Sequence, residues 1–299
     1  MTLEQLRIFA AVAEHQHVTK AAKSLNLAQS AASAAIAALE ARHGARLFNR
    51  VGRGIELTEA GRIFLAEAKA VLARVSAAEL TLAELGGLKR GSLLIQASQT
   101  IASYWLPRYL VAFKQRFPGI ETQLAVGNSE QVAGAVRSGL AEIGFVEGEI
   151  ADEALSIAPI ARDQLILVVS PEHPWASMKR LDPARLTESD WVLREPGSGT
   201  RATFEAALPR FGLTAKSLNV TLELPSNEAV RAAVESGSAA TVLSASVVAA
   251  GLEAGLLKHV RLDLPERAFH VVQHRERHPS AAAEALLQII RGKPAARKA

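Results

Sequence analysis

The sequence predicts an α+β multidomain protein: a helical N-terminal domain with a small β-hairpin, a long linker helix, and a C-terminal α/β domain of two subdomains. Apolar residues recur with helical spacing through residues 1–90, whereas strand-like and helical runs alternate from Gly91 onward. The 299 residues also exceed the about 250 at which a single core stops growing. The expected domains are 1–58, 59–90 and 91–299, the last split into subdomain I (about 91–162 and 266–295) and subdomain II (about 163–265).

The first 45 residues predict three helices. The first presents an apolar face made by Leu3, Leu6, Phe9, Ala10 and Ala13. Thr19 is expected to cap the second helix, and a turn at Asn26 to Ala28 leads into the third at about Gln29. The third helix has a buried stripe formed by Ala32, Ala35, Ile36 and Leu39. Its opposite stripe carries only small or polar side chains: Gln29, Ser30, Ser33, Ala34 and Ala37.

The residues after Gly44 predict a β-hairpin and then a long helix. Two short strands, Arg46 to Asn49 and Ile55 to Thr58, are joined by the turn "VGRG". From Thr58 onward, apolar residues are spaced alternately by four and three: Phe64, Ala68, Val71, Val75, Ala78, Leu82 and Leu85. Such a narrow stripe favours pairing with a second copy of the helix, although a helix packed on its own domain would also show it. We therefore expect at least a dimer.

Two helices joined by a three-residue turn are typical of a helix-turn-helix that reads DNA. The side chains on the outer face of the second helix must be small because that helix has to lie close to the base edges. Gln29 can pair bidentately with adenine, while Ser30 and Ser33 suit phosphate oxygens. Arg50 and Arg53 flank the hairpin turn, where an arginine can enter the minor groove. The expected DNA contacts are Thr19, Gln29, Ser30, Ser33, Arg50 and Arg53.

The charge distribution agrees with a polyanionic partner for the N-terminal third. Residues 1–90 carry 12 Lys and Arg against 8 Asp and Glu, whereas residues 91–299 carry 22 of each. The whole formal charge of +4 therefore belongs to the first third.

These residues carry a family resemblance. The segments "TKAAKSLNLAQSAAS", "AALE", "GARLFNR" and "LTEAG" resemble the winged-helix region of LysR-type transcriptional regulators. The resemblance implies a sequence-specific regulator that is usually a dimer of dimers, binds an operator in double-stranded DNA and responds to a small molecule. RNA polymerase is a further candidate partner. The implied C-terminal fold resembles type 2 periplasmic binding proteins. One frequent DNA contact of the family, an arginine, is replaced here by Ala34.

Three loops, at residues 98–100, 128–129 and 197–200, predict an effector site between the subdomains. Each loop leads into a helix, so that backbone N–H groups and hydroxyls point toward a crevice suited to an anion. Ordinary helix capping would also explain these Ser, Thr and Asn residues. Glu147 is expected at the hinge, or else as a solvated loop carboxylate. The expected effector-binding residues are Ser98, Gln99, Thr100, Asn128, Ser129, Glu147, Gly199 and Thr200.

The effector segments narrow the resemblance further. "QASQTIASYWLP", "LREPGSGTR" and "ELPSNEAVRAAVESG" resemble the regulators of sulfur metabolism and sulfite reductase. This implies sulfite or sulfate as the effector, and no cofactor. Small carboxylates and phosphorylated metabolites would satisfy the same chemistry.

Other classes of protein find less support in the sequence. Without cysteine there is no disulfide, thiol nucleophile or thiolate metal site. His270, His274 and His278 have the spacing of a metal site on a helix. The first two fall on a strand-like run, however, which would place them about 13 Å apart and argues against a metal site. No signal-peptide layout or run of about 18 apolar residues is present, so a cytoplasmic protein is expected. The alternatives are a solute-binding protein, which would have no use for residues 1–90, and a two-lobed enzyme, for which no catalytic set is recognisable.

Overall fold

The computed structural model describes residues 1–51, 54–84, 91–148 and 150–292. The chain divides into two units, Met1–Leu85 and Gly86–Ala299. Arg53, the turn glycine Gly52 and the last residue of the apolar stripe, Leu85, lie outside the described residues. No helix in the described ranges is long and apolar enough to cross a membrane.

The N-terminal unit contains three helices, a hairpin and a fourth, long helix. These are α1 (Leu3–His15), α2 (Val18–Ser24), α3 (Gln29–His43), β1 (Phe48–Val51), β2 (Gly54–Leu57) and α4 (Glu59–Glu84). The core forms where the apolar faces of the helices meet, around the fully buried Phe9, which touches the rings of Phe48 and Phe64. The expected helix start at Gln29 is confirmed, as is the burial of Ala32 and Leu39.

Two local expectations for this unit are wrong. Thr19 is not a cap, because α2 begins one residue earlier at Val18 and its capping position is His17. The first hairpin strand begins at Phe48 rather than Arg46, since Phe48 pairs with Leu57 in an antiparallel register. The preceding residues instead approach α3, where the Glu40 carboxylate accepts hydrogen bonds from the backbone N–H groups of two residues, a local contact that strand propensity ignores.

The apolar stripe of α4 changes its surroundings along the helix. Phe64 is half-buried and Ala68 is buried, and both pack in the core of their own unit. Farther along, Val71 is 41% exposed, and on another side of the helix Ile63 is 65% exposed. The start of the stripe therefore belongs to the domain core, and apolar surface remains available on α4.

The C-terminal unit alternates strands and helices. Its strands are β3 (Gly91–Ser98), β4 (Ile120–Gly127), β5 (Ile143–Glu147), β6 (Leu155–Val169), β7 (Asp190–Arg194), β8 (Asn219–Leu224), β9 (Ala240–Ser244), β10 (Lys258–Val260) and β11 (Glu266–His274). Its helices are α5 (Pro107–Arg116), α6 (Ser129–Ser138), α7 (Gly199–Ala207), α8 (Asn227–Glu235), α9 (Ala245–Glu253) and α10 (Ala281–Ile290). Short turns at Ile101–Trp105, Pro183–Glu188, Leu208–Phe211 and Ala215–Ser217 complete it.

The strands form one continuous sheet in the order β4-β3-β5-β11-β6-β9-β7-β8, with β10 beside β6. The expected parallel pairing holds for β3 with β4 and β5, and for β7 with β8 and β9. It is wrong for β6 and β11, which pair antiparallel with each other and with their neighbours. The 15 residues of β6 extend through both halves of the sheet, so β6 and β11 are the connections between the subdomains.

Each half of the sheet is covered on both faces. Apolar clusters around Phe113 and Val136 enclose the β3–β5 half, and clusters around Trp191 and Val234 enclose the β7–β9 half. This separation into two cores leaves a polar junction between them, where the carboxyl ends of the parallel strands meet.

Candidate functional site

The exposed face of α3 carries the predicted DNA contacts. Gln29 and Ser30 are exposed and Ser33 is half-buried, with the Gln29 amide donating to the Ser33 hydroxyl at 3.3 Å. Within the described chain, no side chain caps the first turn of α3. The Ala31 N–H donates to the Ala28 carbonyl at 3.1 Å, so the N–H groups that precede it are the ones available to an anion such as a phosphate. Thr19 is exposed in the first turn of α2.

The start of the hairpin is held by close contacts with α3 and with α4. The Glu40 carboxylate accepts from the N–H of Leu47 at 2.7 Å and of Phe48 at 3.2 Å. The backbone of α4 approaches so closely at Gly61 that a Cβ there would lie 2.1 Å from the Leu47 carbonyl oxygen. These contacts explain why Glu and Gly stand in "AALE" and "TEAG". Arg50 is exposed on the hairpin thus fixed.

The second candidate site is a buried polar cluster where the two subdomains meet. Nine polar side chains there are at most 5% exposed: Ser98, Thr100, Ser129, Glu147, Arg194, Thr200, Asn227, Ser244 and Arg267. Buried polar groups on this scale are retained only when they are hydrogen-bonded or meet a ligand.

Asn227 joins the first loop to subdomain II. Its side-chain amide donates to the Thr100 hydroxyl at 3.0 Å, and its backbone N–H donates to Gln99 at 2.8 Å. Its carbonyl oxygen accepts from Arg194 at 2.6 Å. Thr100 leads into a π-helical turn at Ile101–Trp105, a rare geometry that is frequent at functional sites.

Arg267 joins the other loop to the connecting strands. It donates to the Thr200 hydroxyl at 3.0 Å and to the Asp163 carboxylate at 2.7 Å. The second oxygen of Asp163 accepts from Ser244 at 2.7 Å. A ligand that contacts Thr200 would therefore act on the strands that connect the subdomains.

The N-terminus of α6 contacts subdomain II directly. The Asn128 amide donates to Glu195 at 3.3 Å, and the Glu130 N–H donates to the Gly197 carbonyl at 3.3 Å. Ser129 donates to the backbone oxygen of Glu147 at 2.9 Å. Asn128 also caps its own helix, so this third helix start serves the contact between subdomains in the present arrangement.

Three polar atoms of the cluster make no hydrogen bond. Among the residues that the structure describes, these are the Ser98 hydroxyl, the Glu147 Oε2 atom and the Arg267 Nη2 atom, the last of which still lies 2.6 Å from the Asp163 carboxylate as an ion pair. Of these three residues, Glu147 lines a cavity of about 350 Å³, whose wall also includes Ser129, Gly199, the exposed Glu130 and the ion-paired Arg137 and Asp152. A buried carboxylate oxygen without a partner, on a residue that lines a cavity of this size, is suited to a small polar ligand.

Of the predicted effector residues, five lie in the buried cluster: Ser98, Thr100, Ser129, Glu147 and Thr200. Sequence reasoning missed Arg267 and Asn227, which link them. Arg267 left one signal, a charged residue in the otherwise apolar run "ERAFHVV", and Asn227 left none beyond ordinary capping.

Two family models match the chain. One, described as "Bacterial regulatory helix-turn-helix protein, lysR family", matches residues 3–62, and the other, "LysR substrate binding domain", matches residues 86–295. A protein of Cyanidioschyzon merolae named "Probable RuBisCO transcriptional regulator" is 35% identical over 287 residues, covering 94% of this chain and 95% of its own length.

Two solved structures share the fold. Full-length CbnR complexed with its target DNA superposes with a TM-score of 0.72 at 22% identity, covering 98% of this chain and 99% of its own. The Synechocystis PCC6803 CcmR regulatory domain in complex with 2-PG superposes with a TM-score of 0.62 at 26% identity, covering 68% of this chain and 97% of its own.

Proposed function

This chain belongs to the LysR family of bacterial transcriptional regulators, and we propose that a small anion bound between the subdomains controls its contacts with DNA. It is a DNA-binding regulator, and its relatives are named as regulators rather than enzymes. The solute-binding protein and enzyme alternatives are therefore set aside. The proposed place of action is the cytoplasm, with RNA polymerase as a further partner.

The observation that carries the proposal is the buried polar junction. Its hydrogen bonds, from Asn227 to Thr100 and from Arg267 to Thr200, hold loops that are predicted to contact the effector. A ligand that forms its own bonds to these hydroxyls changes the relative free energy of two arrangements of the subdomains. Such a difference in affinity is the only means by which a ligand shifts a conformational equilibrium.

The proposed ligand is a small oxyanion. Hydroxyls and helix N-termini are donors that suit one, and the buried Arg194 and Arg267 add positive charge nearby. The resemblance to sulfur regulators favours sulfite or sulfate. The 2-PG named in the CcmR structure favours a phosphorylated compound, and the two kinds of ligand share the same oxyanion chemistry.

We propose a dimer that pairs through α4, because this helix leaves apolar side chains exposed, including Ile63 and Val71. We propose that two such dimers form a tetramer, as the resemblance to the family implies.

A thermal-shift screen tests the effector site. The purified protein is heated with sulfite, sulfate, phosphate and small carboxylates in turn. A ligand at 100 times its dissociation constant adds about 2.7 kcal/mol of stability, enough to raise the unfolding midpoint by several degrees. Thr200→Ala should abolish the shift, whereas Thr187→Ala, on an exposed turn, should keep it. A shift that survives Thr200→Ala would place the ligand elsewhere.

DNA titrations test the N-terminal unit. Gln29→Ala should reduce the preference for operator over random DNA, because base discrimination by such a residue amounts to about 1–3 kcal/mol. Arg50→Ala should weaken both and reduce the steepness of the salt dependence by about 0.9 per lost phosphate contact. Equal weakening of both DNAs by Gln29→Ala would contradict its role in reading bases.

A further inference from the structure

One of the buried side chains at the proposed anion site is an acid, Glu147, which an anion site does not lead one to expect. Glu147 is 2% exposed and lines the cavity of about 350 Å³ together with Ser129 and Gly199. Its Oε1 atom lies 3.9 Å from Arg267, at the limit of an ion pair. Its Oε2 atom has no hydrogen-bond partner anywhere in residues 1–51, 54–84, 91–148 and 150–292.

The neighbouring cations are engaged by other carboxylates. Arg267 contacts Asp163 through two nitrogens, at 2.7 and 2.6 Å. Arg194 forms two hydrogen bonds to Glu195, at 2.8 and 2.9 Å. Each guanidinium is thus paired with its own acid, and Glu147 is the excess negative charge of the cluster.

A carboxylate accepts hydrogen bonds and cannot donate them. An oxyanion without a proton would meet Glu147 as one acceptor facing another, with two like charges inside a buried site. An oxyanion that keeps a proton can instead donate its O–H to the orphaned Oε2 atom. Charge-assisted hydrogen bonds of this kind are the strong ones.

We propose that Glu147 makes the site selective for oxyanions that carry an O–H donor. This inference rests on the proposed anion site and specifies its ligand class: hydrogen phosphate, the singly protonated form of a phosphate ester, or bisulfite. Sulfate is excluded, because it keeps no proton at neutral pH. Selection by a single proton discriminates between anions that have nearly the same size and shape.

Titration calorimetry of the full-length protein with phosphate and with sulfate tests this proposal. At neutral pH and constant ionic strength, phosphate should bind at least about tenfold more tightly than sulfate, the effect of one charge-assisted hydrogen bond. Arsenate and selenate form a second matched pair, because arsenate retains a proton and selenate does not. Both comparisons use the wild-type protein and do not depend on any variant folding.

Two variants then assign the selectivity to one side chain. Glu147→Gln should abolish or reverse the preference, since its amide can donate to sulfate. Glu130→Gln removes the same charge from an exposed side chain at the rim of the cavity and should leave the ratio of the two affinities unchanged.

The outcomes separate this inference from the function on which it rests. Equal binding of phosphate and sulfate, or a preference that survives in a folded Glu147→Gln protein, overturns the role of Glu147 and leaves the anion site standing. If no oxyanion binds to the wild type or to Glu147→Gln, the anion site itself is wrong, and the inference falls with it.

Discussion

Replacement of Arg267 by methionine should destabilise the C-terminal unit strongly. Arg267 is buried, and its guanidinium lies within hydrogen-bonding distance of Asp163 and Thr200 and 3.9 Å from Glu147. Its removal leaves the Asp163 carboxylate, whose side chain is 6% exposed, without its cation. Breaking a buried ion pair in this way costs about 3–5 kcal/mol. Each kcal/mol lowers the unfolding midpoint of a unit of this size by about 2–4 °C, so the midpoint should fall by about 6–20 °C.

The double variant Arg267→Met with Asp163→Asn should recover part of this loss, because it removes both members of the pair. The matched control is Arg162→Met. Arg162 pairs with Glu266 on the same two strands, but the two side chains are 83% and 58% exposed. Exposed pairs contribute at most about 1 kcal/mol, so the control should change little.

Tryptophan fluorescence during urea unfolding is a selective assay for this unit. The chain has three tryptophans, Trp105, Trp175 and Trp191, and all lie in the C-terminal unit, with one in subdomain I and two in subdomain II. The N-terminal unit therefore contributes no signal. An Arg267→Met loss as small as that of the control, or a double variant no more stable than the single one, would refute the account of Arg267 as a paired buried charge.

Two further variants test local packing and pH dependence. Gly61→Ala should destabilise the N-terminal unit by about 1–3 kcal/mol and weaken operator binding, because the added Cβ would lie 2.1 Å from the Leu47 carbonyl. Gly134→Ala on α6, whose Cβ would have nothing within 4 Å, should instead raise the free energy of unfolding by about 0.5–1 kcal/mol. Thermal unfolding followed by circular dichroism tests both expectations. Burial lowers the pKa of His173 below its ordinary 6.5, so the His173 ring binds a proton more readily in the unfolded chain than in the folded one. The contribution of the neutral ring, whose nitrogens contact Ser189 and the Trp175 N–H, is complete above about pH 6.5 and is lost as the pH falls below it. Urea midpoints measured on both sides of that pH should therefore differ more in the wild type than in His173→Gln, and equal differences would exclude His173 as a source of acid sensitivity.

Much of the N-terminal unit could be predicted from the sequence because its determinants are local. Ala32, Ile36 and Leu39 recur at helical spacing, and that spacing alone selects the buried face of α3 and leaves Gln29 and Ser30 outside. The cap was expected at Thr19, but the capping position is His17, which makes no side-chain hydrogen bond that the sequence could have indicated. The strand start at Arg46 was wrong because it depended on a contact with residues elsewhere in the unit. Glu40 draws the backbone at Leu47 and Phe48 toward α3, and no propensity of residues 46–49 records that contact.

In the C-terminal unit the sequence by itself determined that strands alternate with helices, and which loops begin those helices. Only the tertiary structure decided that β6 and β11 run antiparallel through both subdomains and bring Arg267 to Thr200 and Asn227 to Thr100. These partners are separated by 67 and 127 residues. Local spacing specifies a segment because neighbouring residues share one backbone geometry. The pairing of buried charges depends on where distant segments meet, and the order of the strands in the sheet determines that.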